Sequence, residues 1–298
     1  MIIAIGGATA TGKSALAVEL ARRIGGEIVS ADSMQIYKGM DIGTAKITEE
    51  EKGGIPHYMI DIVSPKEPYN VAMYVKDADK AIDEIRSHGK TPILVGGTGL
   101  YIRSLLYNYS HSAYDEELRA KITEEYEEKG ADALWNKLRD LDPIAAEKIH
   151  KNNVKRVIRA LEVVILTGKS IADTEESNPE KRREHALFCI ETDRETLYER
   201  INKRVDRMFD GGLENEIDRL LSEGVDFSCQ SMQAIGYKEF AAYKAGNATL
   251  EEVKEAIKIN SRHYAKRQET WFRGMDAKWL KMGNIKEMSA KIEQAILK

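Results

Sequence analysis

The chain has 298 residues, of which 42% are hydrophobic and 32% are charged, and its formal net charge is -4. This composition is typical of a globular protein with a sizeable core. It excludes a general attraction to nucleic acid, so that any such surface must be a local basic patch. Two cysteines are too few for a disulfide framework or a zinc module, which favours a reducing, cytoplasmic environment. The sequence predicts neither a secretion leader nor a membrane helix.

The first predicted elements are a strand, a glycine-rich turn and a helix. Residues 1–5 form an apolar run with the length of a buried strand, and residues 14–23 are apolar at helical spacing. Between them lies the phosphate-loop pattern, formed by Gly7, Ala8, Thr9, Ala10, Thr11, Gly12, Lys13 and Ser14. The N–H groups and the dipole of the helix N-terminus attract phosphate. Lys13 is expected to reach the phosphate oxygens, and the Ser14 hydroxyl is expected to ligate Mg²⁺.

A second predicted strand, residues 27–32, ends in an acidic residue. In a parallel sheet ligands gather at the carboxyl ends of the strands, so Asp32 is expected to face the same crevice as the phosphate loop. A helix or turn cap is the alternative for Asp32. The polar, glycine-punctuated residues 33–46 indicate a functional loop. Residues 57–62 are predicted to form a further strand, and residues 71–86 an amphipathic helix.

Residues 91–95 form another apolar run, which is followed by Gly96, Gly97, Thr98 and Gly99. Many phosphate-loop hydrolases end this strand in an aspartate that orders Mg²⁺. The glycines here argue against a motor or switch hydrolase and favour a small-molecule kinase or a transferase. Thr98 is either a hydrogen-bond donor to a phosphate or bridging oxygen, or an ordinary turn residue.

Residues 109–184 have helical periodicity and predict a helical insertion in an α/β core formed by residues 1–108 and 185–298. Within the insertion, Lys155, Arg156 and Arg159 form a compact basic group. This group is either ordinary surface charge or a contact for a nucleic-acid backbone. The polar residues 173–184 are a candidate hinge.

After the insertion, residues 185–190 predict a return to the sheet. The next helix carries Arg200, Arg204 and Arg207 on one face, which suits either a clamp on a polyphosphate or ion pairs with neighbouring acidic residues. Residues 257–273 interleave basic and aromatic side chains, a pattern that suits RNA.

Together these stretches resemble the tRNA dimethylallyltransferase family, whose members prenylate the adenine just 3′ of the anticodon. The matching stretches are residues 7–14, 30–35, 37–46, 96–101, 155–163, 231–238 and 264–273. They follow the family's order over nearly the whole chain, and the loop after Asp32 and residues 264–273 are far more specific than the phosphate loop. The resemblance implies a kinase-like parallel α/β core with a helical insertion. Some relatives carry a C-terminal zinc finger that two cysteines cannot form, so the resemblance is to the bacterial-type short form.

The resemblance implies transfer of a dimethylallyl group from dimethylallyl diphosphate to N6 of the adenine at tRNA position 37, giving N6-isopentenyladenosine. It implies that Asp32 is the general base and that Thr98 donates a hydrogen bond to the bridging oxygen of the diphosphate. It also implies that Lys13 and Arg204 neutralise the diphosphate in the phosphate loop, where Ser14 ligates Mg²⁺. The positions that match the family's tRNA contacts are Asp32, Ser33, Met34, Gln35, Thr98, Arg119, Lys155, Arg156, Val157, Ile158, Arg159, Gln233, Ala234, Ile235, Gly236, Tyr237 and Lys238.

Three alternatives stay open at this point. A small-molecule kinase would use the same loop with ATP, and Asp32 would deprotonate a substrate hydroxyl. An adenylate isopentenyltransferase would share the chemistry without an RNA surface, and an RNA-binding protein would keep that surface without catalysis. The preferred interpretation predicts a cytoplasmic monomer that binds tRNA and dimethylallyl diphosphate and does not associate with membranes.

Overall fold

A computed structural model of the chain describes residues 1–107, 115–174 and 180–297. The chain divides into two compact units, Met1–Leu106 with Arg182–Lys298, and Tyr107–Lys181. The predicted first residue of the insertion, Tyr109, and part of the predicted hinge lie outside the described residues. The domain boundaries at 109 and 184 stay predictions.

In its described residues the first unit contains one sheet of parallel strands, in the order β3-β2-β4-β1-β5-β6. The strands are β1 Ile2–Gly6, β2 Gly26–Ser30, β3 His57–Tyr58, β4 Thr91–Val95, β5 His185–Glu191 and β6 Lys278–Lys281. The central strands β1 and β2 are buried along their whole length, as expected when both faces of a parallel sheet are covered. The predicted parallel α/β core is confirmed.

The α-helices of the described residues are α1 Lys13–Ile24, α2 Glu49–Lys52, α3 Val71–Ser87, α4 Gly99–Leu106, α5 Glu116–Leu141, α6 Pro143–Lys148, α7 Val154–Thr167, α8 Ile171–Thr174, α9 Arg194–Asp210, α10 Leu213–Ser222, α11 Phe240–Lys244, α12 Leu250–Arg273 and α13 Ile285–Ile296. Leu16 and Leu20 of α1 and Ile292 of α13 belong to one core cluster with the apolar side chains of β1, β2 and β4. None of the helices in these ranges is long and apolar enough to cross a membrane.

The three strands β2, β4 and β1 are neighbours and end level with one another. Ser30 pairs with Val95, and Val95 pairs with Ile5. The segments that follow these strands therefore leave the sheet side by side at its carboxyl edge. A Cβ atom on Gly96 would lie 2.1 Å from the carbonyl oxygen of Ala31, so only glycine allows this close approach.

The predicted strand at 57–62 is wrong in length, since β3 ends at Tyr58. Met59 and Asp61 have left-handed backbones, with φ of 64° and 56°. The N–H of Asp61 donates to the carbonyl of Gln35 at 3.2 Å. Contacts with the loop after β2 thus override the local alternation of apolar and polar residues, because β propensity depends on context.

The second unit contains α5 to α8 around its own apolar core. Leu138 of α5 and Leu161 of α7 are completely buried in that core. Helix α5 is interrupted at Gly130, whose φ of 79° is non-helical. On α7, Val157 and Leu161 are buried in the same core.

Candidate active site

The phosphate loop connects β1 to α1 through three residues with positive φ. Gly7, Ala10 and Gly12 have φ of 128°, 62° and 90°. Helix α1 begins directly afterwards at Lys13, whose Nζ donates to the carbonyl of Ala8 at 2.6 Å. Left-handed residues before a helix N-terminus present successive N–H groups that form an anion site.

Asp32 lies just beyond β2, with its side chain fixed by its own backbone. Its Oδ1 accepts hydrogen bonds from the N–H of Met34 at 2.9 Å and of Gln35 at 3.3 Å. Among the described residues Oδ2 has no hydrogen-bond partner, so one carboxylate oxygen remains for a ligand. The hydroxyl of Thr98, after β4, accepts from the N–H of Ser33 at 3.0 Å and so ties the two strand ends together.

A cavity of about 350 Å³ lies at this edge of the sheet. The predicted site residues that line it are Thr9, Lys13, Ser14, Asp32, Ser33, Met34, Gln35, Arg204, Gln233, Ala234, Ile235 and Lys238. The other predicted site residues of the first unit do not line the cavity; they are Gly7, Ala8, Ala10, Thr11, Gly12, Thr98, Gly236 and Tyr237. The structure therefore brings residues from four separate stretches of sequence to one space.

The electrostatics of this cavity favour a ligand with more than one negative charge. Burial and then the charge of Arg204 lower the pKa of Lys13 to about 8, while Asp32 acts in the opposite direction. Burial also lowers the pKa of Arg204. Two cations that are desolvated beside a single carboxylate are best compensated by a polyanion.

The three arginines of α9 have different surroundings. Arg204 lines the cavity and donates to the carbonyl of Thr44 at 2.9 Å. Arg200 donates from Nε to the carbonyl of Ala10 in the phosphate loop at 2.7 Å. Arg207 is exposed, donates to the carbonyl of Lys203 in its own helix and is not among the lining residues. Of the three, Arg204 alone is among the residues that line the cavity, and the clamp on a polyphosphate stays a prediction.

Gln268 is a residue of this site that the sequence pattern did not single out, although it lies in a stretch that carries the family resemblance. Gln268 is 5% exposed, and its Oε1 accepts from the N–H of Thr9 at 2.9 Å while its Nε2 donates to the carbonyl of Gly97 at 2.9 Å. Tyr264, one turn earlier on α12, interacts with Thr98 and Gln268, and burial raises its pKa to about 12. The signal available in the sequence was a glutamine spaced three and four residues from Ala265 and Phe272, on the same side of α12.

The predicted tRNA contacts of the second unit lie on α5 and α7. Arg119 and Arg159 both donate to Oε2 of Glu162 at 2.8 Å, and Glu162 is 0% exposed. Lys155 and Arg156 are exposed. Of the other two predicted positions, Ile158 packs partly buried against the core and Val157 lies within it. Lys155 and Arg156 are therefore the most exposed of these positions, while the side chains of Arg119 and Arg159 are 41% and 28% exposed.

A parallel sheet with a phosphate loop between its first strand and first helix places the chain in the phosphate-loop class of α/β proteins. The sequence pattern of the IPP transferase family matches residues 35–275, and that of the isopentenyl transferase family matches residues 1–66.

Known proteins resemble the chain over nearly its full length. A tRNA dimethylallyltransferase of Acetivibrio thermocellus is 53% identical over 92% of this chain and 89% of the relative. The crystal structure of a tRNA isopentenylpyrophosphate transferase from Bacillus halodurans matches with a TM-score of 0.75 and 43% identity, over 99% of this chain and 95% of that one. A eukaryotic dimethylallyltransferase acting on tRNA matches with a TM-score of 0.81 and 30% identity, over 99% of this chain and 77% of that one.

The chain therefore belongs to the IPP transferase family. This confirms the predicted resemblance and fold class. The comparisons do not favour the kinase or the adenylate isopentenyltransferase.

Proposed function

We propose that the protein transfers the dimethylallyl group of dimethylallyl diphosphate to N6 of the adenine at position 37 of tRNA, giving N6-isopentenyladenosine. The observation that carries this proposal is that Lys13, Arg204 and Asp32 line one and the same cavity. It offers two cations to a departing diphosphate and a carboxylate to an attacking amine. The family membership and the tRNA dimethylallyltransferases among the relatives support the same reaction.

The diphosphate is bound at the end of the cavity formed by the phosphate loop. The N–H groups at the start of α1 and the ammonium of Lys13 hold its oxygens, and Arg204 adds a planar fork of donors. These groups stabilise the charge that develops as the allylic carbon–oxygen bond breaks. Apolar residues in the cavity wall, such as Ile201, Val205 and Met208 of α9, suit the dimethylallyl group.

Asp32 acts as the general base. The N6 nitrogen of adenine attacks the C1 carbon of the allyl group, the C1–oxygen bond breaks, and the diphosphate leaves with the bonding electrons. The proton lost from N6 goes to Oδ2 of Asp32, since Oδ1 is occupied by the N–H groups of Met34 and Gln35. An adenine reaches this carboxylate only after leaving its stack in the anticodon loop.

Thr98 holds the residue next to this base. Its hydroxyl accepts from the N–H of Ser33, which keeps the start of the 33–46 loop against the turn after β4. The hydrogen bond from Thr98 to the bridging oxygen of the diphosphate stays a prediction.

The residues present fit a Mg²⁺ ion. The Ser14 hydroxyl and the Asp32 carboxylate line the same cavity, and Mg²⁺ prefers oxygen ligands, usually one or two from the protein together with substrate phosphates. We propose that Ser14 ligates the ion. When bound, Mg²⁺ supplies charge neutralisation to the diphosphate.

The tRNA is proposed to contact each unit through exposed or cavity-lining residues. In the first unit these are Ser33, Met34, Gln35, Gln233, Ala234, Ile235 and Lys238, and in the second unit they are Lys155 and Arg156 together with the partly exposed Arg119 and Arg159. We also propose that the protein works as a monomer in the cytoplasm, where bacterial tRNA-modifying enzymes typically work.

The test incubates the protein with Mg²⁺, radiolabelled dimethylallyl diphosphate and an unmodified tRNA transcript with adenine at position 37. Label is expected in this RNA and absent from a matched transcript that carries guanine there. Label in free AMP but not in tRNA, or ATP consumption without any transfer, would overturn the proposal.

A further inference from the structure

A buried carboxylate joins two segments of the first unit that are distant in sequence. Glu216 on α10 is 7% exposed. Its Oε2 accepts from the N–H groups of Asp41 and Ile42 at 2.8 Å each. Its Oε1 accepts from the N–H of Gly43 at 3.1 Å and from the hydroxyl of Tyr237 at 2.5 Å. Within the described residues Glu216 has no ion-pair partner, so these four donors compensate its charge, and each is costly to lose.

The first of the two segments, residues 41–45, forms part of the cavity wall. Gly43, Thr44 and Ala45 line the cavity. The carbonyl of Thr44 accepts from Nη2 of Arg204 at 2.9 Å and from Nε2 of Gln35 at 3.4 Å. The segment that Glu216 fixes therefore holds, in turn, the arginine assigned to the diphosphate and a glutamine assigned to tRNA.

The second segment, residues 233–238, lines another part of the same cavity with Gln233, Ala234, Ile235 and Lys238. Tyr237 is completely buried, and a Cβ atom on Gly43 would lie 2.4 Å from its ring. The two segments are therefore packed together at a glycine. Burial and the Glu216 carboxylate raise the pKa of Tyr237, so its hydroxyl keeps its proton and acts as a donor.

We propose that Glu216 is a positioning residue for prenyl transfer. It holds residues 41–45 and 233–238 in one fixed arrangement, so that Arg204 is presented to the diphosphate while Gln35 and Lys238 are presented to the tRNA. This inference rests on the proposed function and adds to it a residue that touches neither substrate.

The first test replaces Glu216 by Gln, which keeps the shape of the side chain. Its amide N–H group then faces the backbone N–H donors of residues 41–43 in place of a carboxylate oxygen. Amide hydrogen exchange of residues 41–43 is expected to become about tenfold faster or more, while the phosphate loop is unchanged. Per folded molecule, kcat/KM for tRNA is expected to fall at least about tenfold. The matched control is Asp218→Asn, since Asp218 is an exposed carboxylate on the same helix that pairs with Lys244 at 2.6 Å. It should change neither quantity more than about twofold.

A folded Glu216→Gln variant with wild-type exchange and wild-type kcat/KM would overturn the inference. If this variant does not fold, Tyr237→Phe takes its place, because it removes one donor and leaves the three backbone bonds. It should raise KM for tRNA about threefold or more and speed exchange at Tyr237 and Lys238, and unchanged values would again overturn the inference. The exchange measurement needs no tRNA, so failure of the proposed function is seen separately, as a wild-type protein that transfers no label.

Discussion

The guanidinium of Arg204 donates a hydrogen bond to the carbonyl oxygen of Thr44 at 2.9 Å. This bond fixes an arginine of α9 against the loop that follows β2, on the wall of the cavity that also contains Lys13 and Asp32. A guanidinium carries five N–H donors in a rigid fork, so one bond to the backbone orients the group and leaves other donors for a diphosphate.

Replacing Arg204 by Lys keeps the charge and removes the fork. We expect kcat/KM for dimethylallyl diphosphate to fall about tenfold to a hundredfold, because a lysine cannot hold the Thr44 carbonyl and the diphosphate together. Steady-state kinetics with saturating tRNA measure the effect. Arg207→Lys, on an exposed arginine of the same helix, is the control and should behave as wild type. Equal losses in both variants would contradict the role assigned to Arg204.

The low pKa of Lys13 predicts a pH dependence of substrate binding. A bound diphosphate raises that pKa, since an opposite charge favours the ammonium. Lys13 therefore contributes fully to affinity below its free value of about 8. Above that value the binding constant falls by up to about tenfold per pH unit. The fall ends once the pH exceeds the pKa that Lys13 has in the complex with the diphosphate.

Calorimetric titration of dimethylallyl diphosphate without tRNA, from about pH 7 to about pH 10, checks this prediction. In the Lys13→Arg variant the side chain stays charged over the whole range, so its affinity for dimethylallyl diphosphate should not depend on pH. A wild-type affinity that is constant above the pKa of Lys13 would show that its protonation does not contribute to binding.

Gln268 is predicted to stabilise the site as well as the fold. Gln268→Leu leaves the N–H of Thr9 and the carbonyl of Gly97 without their partner, which is expected to lower the free energy of unfolding by about 1–3 kcal/mol. Urea unfolding measures this loss, and the affinity for dimethylallyl diphosphate should fall with it. The neighbouring Glu269→Gln removes only a partly exposed pair with Arg273 and should cost less than about 1 kcal/mol. Equal stability of both variants would show that the hydrogen bonds of Gln268 with Thr9 and Gly97 do not stabilise the fold.

The exposed basic pair on α7 is predicted to contact the tRNA backbone. Reversing Lys155 and Arg156 to Glu should weaken tRNA binding and reduce the slope of log affinity against log salt by about one for each lost phosphate contact. Lys148→Glu, an exposed reversal on α6, is the control. A salt slope unchanged from wild type would make the pair ordinary surface charge.

Arg159 belongs in a separate experiment. Removing it leaves the buried Glu162 with one arginine fewer, so Arg159→Glu is expected to destabilise the second unit by about 3–5 kcal/mol. Thermal unfolding of this variant distinguishes that loss from a direct effect on tRNA. Unfolding at the wild-type temperature would mean that the Glu162 pair does not hold the unit together.

The parts of the site that could be predicted from sequence are those set by neighbouring residues. The phosphate loop and Asp32 each follow an apolar run directly, so the parallel sheet brings them to one edge. Gln268 could not be assigned in this way, because its partners Thr9 and Gly97 are 259 and 171 positions away.

Long-range contacts also explain where the sequence pattern misled. The alternation at 57–62 predicted a strand, but Asp61 is bound by the backbone of Gln35 and by Lys46, and the strand ends at Tyr58. Likewise the pairing of Arg119 with Glu162 depends on the packing of α5 against α7, which spacing along either helix does not reveal, whereas Arg159 and Glu162 are i,i+3 neighbours on α7.

The most direct test of the mechanism is single-turnover prenyl transfer by Asp32→Asn. The amide oxygen still accepts from Met34 and Gln35, so the loop is retained while the base is lost. We expect a rate at least about a hundredfold below wild type, with the affinity for dimethylallyl diphosphate unchanged within about threefold. A wild-type rate in this variant would contradict the assignment of Asp32 as the group that takes the N6 proton.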